Sequence, residues 1–181
     1  MSKIVYDIFC DGSASNKTLI GAYWYCCVDE NGEILFEGGN SYENVRSGRM
    51  EVEALNDVLE TLNTISPEIL TDTIFQVRSD SQYVVNTYNK WLSDWIAIGV
   101  LKSKANADLW ESIHQNRRRD VRVIWVKGHS SSDGLDEQEA YYSKWNNYVD
   151  IKARDLFRKK TFEVTGIEQK EAKAVYKKKK S

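Results

Sequence analysis

Ile4-Val5-Tyr6-Asp7-Ile8-Phe9-Cys10-Asp11-Gly12-Ser13 is the stretch from which the fold is read. Its front half is apolar, β-branched and aromatic, the composition of a strand buried on both faces. It stops at Asp11-Gly12-Ser13, residues that turn a chain rather than extend it. Asp11 is therefore expected at the carboxyl end of a central strand, the edge where α/β proteins place their sites. An ordinary strand followed by an Asp-Gly turn reads the same way, so the remaining chain has to decide.

Working outward, Leu19–Asp29 reads as a second strand, Glu30-Asn31-Gly32 as a hairpin turn and Glu33–Tyr42 as the returning strand. Leu55, Val58, Leu59 and Leu62 recur at helical spacing, extended by Met50 and Ala54, and predict a helix over about Gly48–Asn63. Glu51 shares the inward face of that stripe, where a carboxylate is expensive unless it is paired or bound to a metal. A favourable first-turn Glu explains its place along the helix but not its face. Thr73–Arg78 is a fourth strand, ending at Ser79-Asp80-Ser81, again an acid just past a strand; Ser79 or Asp80 is also a candidate cap for a helix from Gln82.

Gln82–Arg119 reads as helix in pieces. Val84, Val85, Tyr88, Trp91, Leu92 and Trp95 form a dense apolar set, Ile98-Gly99-Val100 interrupts it, and Lys102-Ser103-Lys104 is a basic loop. Asn106 is expected to cap a helix carrying Leu109, Trp110 and Ile113, with Arg117–Arg119 at its C-terminus. Val121–Val126 is a fifth strand leading into Lys127-Gly128-His129. Ser130–Tyr142 is polar and acidic and reads as a loop. The last helix is expected over about Ser143–Lys159, with Trp145, Val149, Ala153, Leu156 and Phe157 inward and Asn146 and Asp150 paired at i, i+4 on the flank. Residues 1–160 are expected to form one domain and residues 161–181 a charged tail ending in Lys177–Lys180.

The totals narrow the function. The chain has 181 residues, of which 41% are hydrophobic, enough for a packed core. Net charge is -2, so any polyanion must be held by something other than overall charge, and bound cations are the obvious device. The three cysteines, Cys10, Cys26 and Cys27, lie in strand-like runs and match no zinc spacing, so they read as reduced thiols of a cytoplasmic protein. No apolar run approaches the ~20 residues of a membrane span.

Four carboxylates, Asp11, Glu51, Asp80 and Asp150, thus stand where one sheet edge gathers them. Clustered acids repel one another unless hard divalent cations fill the space between, and Mg²⁺ is the usual choice beside phosphates. Two such ions about 4 Å apart make a phosphodiester cleavage site.

Asp11-Gly12-Ser13, Arg49-Met50-Glu51, Ser79-Asp80-Ser81-Gln82-Tyr83-Val84, Val126-Lys127-Gly128-His129 and Asn146 with Asp150 match, in order and spacing, the type 1 ribonuclease H family, which the chain resembles over roughly residues 3–158. The resemblance implies a mixed α/β fold, a five-stranded sheet in the order 3-2-1-4-5 with helices on both faces. It also implies hydrolysis of the RNA strand of RNA–DNA hybrids to 5′-phosphate and 3′-hydroxyl ends. Carried over, Asp11, Glu51, Asp80 and Asp150 hold two Mg²⁺ ions, with Mn²⁺ as substitute, and His129 assists proton transfer or product release. Arg49 and Gln82 face the minor groove, where 2′-hydroxyls distinguish RNA from DNA. Asn146 lies near the site, Trp91 with Lys102 and Lys104 grips the DNA strand, and Ser13 and Lys127 join the substrate contacts. The partner implied is the hybrid itself, bound by a monomer with no membrane.

The sequence departs from the family in four places. Ala14-Ser15-Asn16-Lys17 replaces a Gly/Pro-rich loop, and Ser47-Gly48 replaces a polar pair before Arg49. Trp95-Ile96-Ala97-Ile98 stands where charges are common, and the loop after His129 is long and acidic. A non-catalytic hybrid-binding module on the same scaffold predicts loss of at least one acid, and all four are present. A resolvase or transposase core would lack the Ser79–Val84 and Lys127–His129 segments in this arrangement.

Overall fold

Strand β1 (Ile4–Ala14) is the middle of the molecule. The computed structural model describes residues 2–127, 134 and 136–167. β2 (Gly21–Val28) and β3 (Ile34–Tyr42) form an antiparallel meander with β1, while β4 (Thr73–Ser79) and β5 (Val121–Trp125) join in parallel on its other side. The sheet order is β3-β2-β1-β4-β5, as expected.

Strand parity divides β1 between two helices. Ile8 and Cys10 face α1 (Ser47–Ile65), whose Met50, Ala54, Leu55, Val58, Leu59 and Leu62 are all buried in the larger core. Phe9 faces the opposite way, into a smaller cluster with Cys26, Val28, Trp145 and Val149 under α5 (Glu137–Thr165). Burying a side chain of this size stabilises by about 1.5–3 kcal/mol, so the two faces clamp the sheet from both sides. β1 also runs three residues past the expected stop. Asp11, Gly12, Ser13 and Ala14 stay in register with Trp24, Tyr23, Ala22 and Gly21, because β2 supplies ladder partners to the end. Leu19, expected in β2, instead lies in the left-handed region at φ 57° and closes a turn in which Ser15 N–H donates to the Ile20 carbonyl.

The segment after β4 is α2 (Gln82–Asn86), a π-turn (Thr87–Trp91), α3 (Leu92–Ala97), a 3₁₀ turn (Leu101–Ser103) and α4 (Ala107–Gln115). Ser81, not Ser79 or Asp80, caps α2 by accepting from Val84 N–H. Asn106 sits in the left-handed region without capping α4; its side-chain amide donates to the Tyr83 hydroxyl instead. Arg117, Arg118 and Arg119 follow α4 and its C-cap Asn116. Arg118 is buried, pairs with Asp120 at 2.8 Å, and ties the loop after α1 through the Leu62, Ser66 and Glu68 carbonyls.

α5 begins earlier than predicted. Asp136 accepts from Glu139 N–H, so part of the acidic stretch caps a helix rather than forming a loop. It also continues through residue 160, the expected domain end, and Thr161 is buried. Among the described residues, no helix is long and apolar enough to cross a membrane.

Candidate active site

Gly12 decides how closely β1 approaches α1. A Cβ there would lie 2.7 Å from the Met50 carbonyl carbon and 3.0 Å from Glu51 N, contacts only glycine avoids. Ser47 fixes the same junction from the helix side: its hydroxyl accepts from Ala14 N–H at 2.9 Å and donates to the Ala14 carbonyl at 3.1 Å. The departure at Ser47 therefore serves to dock α1 on β1. The result is a shallow cleft lined by Cys10, Asp11, Gly12, Glu51, Ala54, Ser79 and Asp80.

Asp11 shares the parity of Phe9 and so lies on the α5 side, where Asp150 acts on it. Burial first, then the charges of Asp80 and Asp150, push the Asp11 carboxyl well above the usual carboxylate range. Burial likewise raises Glu51, to about 6; the Ser81 hydroxyl pulls it down and Asp80 pushes it up. These influences bring all four acids into one electrostatic unit.

Glu51 and Asp150 have side-chain partners outside the acid set. Ser81 donates to Glu51 Oε2 at 2.9 Å, and Arg154 Nη2 lies 2.9 Å from Asp150 Oδ2. The Trp125 indole N–H donates to the Asp80 main-chain carbonyl at 3.2 Å. Asp150 also shares a side-chain hydrogen bond with Asp11, yet no three His, Cys, Asp or Glu side chains among the described residues are grouped closely enough to hold a metal ion. The donor set still fits hard divalent cations, since every acid offers oxygen alone. Cys10 does not compete for them as a thiolate, because burial and the surrounding acids drive its thiol pKa far upward.

The other candidates are spread around this cleft. Ser13 is exposed on β1 two residues past Asp11, and Gln82 is exposed at the start of α2. Arg49 lies on the first turn of α1, held by both carboxylate oxygens of Asp108 at 3.0 and 2.8 Å, so α4 rather than solvent orients it. Asn146 is half-buried one turn before Asp150. Trp91 is exposed and stacks on Trp95 at 6.4 Å, with Lys104 Nζ 5.1 Å from the Trp95 ring and Lys102 exposed beside it. The π-turn sets this pair: Val84, Val85, Tyr88 and Leu92 go into the core while Trp91 stays out. Lys127 is exposed. His129 lies outside the described residues, as do Lys177–Lys180.

Three neighbours of the acids were not among the sequence candidates. Ser81 stood inside the matched Ser79–Val84 segment, and Arg154 stood at helical i+4 spacing from Asp150, so both had a signal. Trp125 had none, since only the β4–β5 register brings its indole to Asp80.

The RNase H family model matches residues 3–158. The chain belongs to the RNase H family. It is 34% identical over 146 residues to Ribonuclease H of Helicobacter acinonychis, covering 77% of this chain and 94% of that protein. It is 34% identical over 125 residues to Ribonuclease HI of Helicobacter pylori, covering 68% and 80% of the two chains. Among solved structures, LC11-RNase H1 from compost superimposes with a TM-score of 0.61 at 21% identity, covering 88% of this chain and 98% of that one. The RNase H fold is thus shared with proteins whose sequences have diverged far. These relatives make the protein a type 1 RNase H, a family that is metal-dependent in general.

Proposed function

We propose that the protein is an endonuclease that hydrolyses the RNA strand of RNA–DNA hybrids, using two Mg²⁺ ions held by Asp11, Glu51, Asp80 and Asp150. The observation that carries this reading is the mutual pressure of the four acids. Asp11 is raised by burial and then by Asp80 and Asp150, and Glu51 by burial and Asp80, although the four acids come from two strands and two helices, β1, β4, α1 and α5. Bound divalent cations supply charge neutralisation, activate water at neutral pH and stabilise the leaving 3′-oxygen.

The chain's own residues do the rest. Asp11, near the end of β1's ladder, and Asp80, just past β4, fix two of the acids on adjacent central strands. Gly12 and Ser47 hold Glu51 against them, and Trp125 steadies the Asp80 main chain. Gln82 and the exposed Ser13 offer hydrogen-bonding groups at the rim for ribose hydroxyls, and Arg49 adds a guanidinium oriented by Asp108. Trp91, with Lys102 and Lys104, gives a stacking and phosphate-binding surface for the DNA strand. Lys127 and Asn146 support substrate binding near the acids, and His129 takes part in proton transfer or product release. Mn²⁺ is the natural substitute cation. The protein acts as a monomer in the cytoplasm, a setting compatible with its three free, buried cysteines.

The test is cleavage of end-labelled RNA–DNA hybrid, duplex RNA and duplex DNA by the protein with Mg²⁺ or with chelator. Cutting of the RNA strand of the hybrid alone, and only with Mg²⁺, is expected. Cutting in chelator, or equal cutting of duplex RNA, would overturn the reading.

A further inference from the structure

We propose that Arg154 is a displaceable counter-ion: its guanidinium holds Asp150 while the acid cluster lacks cations and yields that carboxylate when a divalent cation enters. Arg154 thereby sets the cation concentration at which the site fills. The inference rests on the reading above, that Asp150 is a cation ligand, and goes beyond it by assigning a role to a residue outside the ligand set.

Arg154 Nη2 stands 2.9 Å from Asp150 Oδ2, one helical turn along α5. The same Asp150 carboxyl is hydrogen-bonded to Asp11 and raises it, so the group that Arg154 holds belongs to the cluster and not to the outer helix surface. A guanidinium and a dication beside one carboxylate share its charge and repel each other, so each weakens the other's hold. The pair is built to let go. Its side chains are 32% and 18% exposed, and partners at i, i+4 hold each other by only a few tenths of a kcal/mol. The buried Arg118–Asp120 pair contrasts with it in exposure: those side chains are 2% and 1% exposed. Arg154 also has a long flexible stem, which lets its guanidinium shift relative to α5.

An ordinary helix-surface ion pair would show the same distance, and the experiment separates the two. Mg²⁺ alone is titrated calorimetrically into the full chain, without nucleic acid, for wild type, Arg154→Gln, Asp150→Asn and the double variant. Arg154→Gln is expected to bind Mg²⁺ roughly two- to fivefold tighter. In the Asp150→Asn background the same change is expected to leave affinity nearly unaltered. Weaker binding by Arg154→Gln overturns the proposal, and so does an equal gain in both backgrounds, which would reflect only the removal of a positive charge. In parallel, ¹⁵N-arginine-labelled wild type is titrated, with Arg154→Gln identifying the guanidinium resonance. That resonance is expected to move with the calorimetric midpoint. If it stays still at Mg²⁺ saturation the proposal fails, even where Asp150→Asn binds too weakly to measure. Failure of wild type to bind Mg²⁺ at all would strike the reading of the acids as ligands. Binding with an unmoved Arg154 would strike the counter-ion role alone.

Discussion

Glu51→Gln should stabilise the cation-free protein at neutral pH while removing its activity. The Glu51 carboxyl is raised from 4.5 to about 6, chiefly by burial and further by Asp80. A folded-state value above the unfolded one means that the folded protein resists ionisation. Stability from this group is therefore intact below about pH 4.5, falls as pH rises through about 6, and stays low above that. At about 1.4 kcal/mol per pH unit the full effect is ~2 kcal/mol. Glu51 is only half-buried, and solvent screening reduces the figure to ~1 kcal/mol. Glutamine has nearly the same shape and keeps an oxygen to accept from Ser81, so the hydrogen bond at 2.9 Å survives. Expressed as a melting temperature, the gain is about 2–4 °C at pH 7.5 for a chain of this size, shrinking to nothing near pH 4.5. Thermal unfolding in chelator, scanned from pH 4 to 8, measures it. Added Mg²⁺ should then stabilise wild type more than Glu51→Gln, since mass action favours the state that binds. A variant no more stable than wild type above pH 7, or equally more stable at every pH, would refute the argument that Glu51 is strained by its surroundings.

Other perturbations test other links. Asp11→Asn should abolish cleavage and leave hybrid binding in chelator unchanged; near-normal cutting would remove Asp11 from the ligand set. Gly12→Ala should destabilise by about 1–3 kcal/mol in chemical denaturation, because the new Cβ meets the Met50 carbonyl carbon at 2.7 Å; an unchanged midpoint would show that α1 is free to withdraw. Trp125→Phe should lower kcat up to about tenfold with hybrid KM unchanged, and a change confined to KM would make Trp125 a substrate contact instead of a support for Asp80. Deleting residues 168–181 leaves the Gly166 cap of α5 in place. It should flatten the salt dependence of hybrid binding without altering the cleavage products; an unaltered slope would exclude the lysines from binding.

The sequence already showed β1, α1 and the inner face of α5, because each carries apolar residues at the period of its own element. What it did not show depends on partners rather than period. β1 outruns Asp11 because β2 happens to offer ladder partners as far as Gly21, and an Asp-Gly-Ser string looks the same with or without them. The π-turn at Thr87–Trp91 shifts the register by one residue, and an inserted residue leaves no mark on composition. Asp136 and Glu139 did carry the spacing of a helix cap, but among so many acids they read as loop. Ser81 donates to Glu51 while capping α2, two roles that only the folded chain brings together.

The same distinction holds for the acids themselves. Topology could be read to the point where four carboxylates share one sheet edge, because strand ends and helix faces are set by pattern. The direction each carboxylate finally takes is set by the nearest compensating group. Here Glu51 takes Ser81, and Asp150 takes Arg154 while keeping a hydrogen bond to Asp11, so like charges lean on milder neighbours within reach. Cations held by all four acids would compete with these two contacts for the carboxylates' charge. The affinity of the site then measures a difference between two sets of contacts, not the strength of one. A serine and an arginine beside the acids, neither of them a ligand, consequently bear on the working cation concentration as directly as the ligands do.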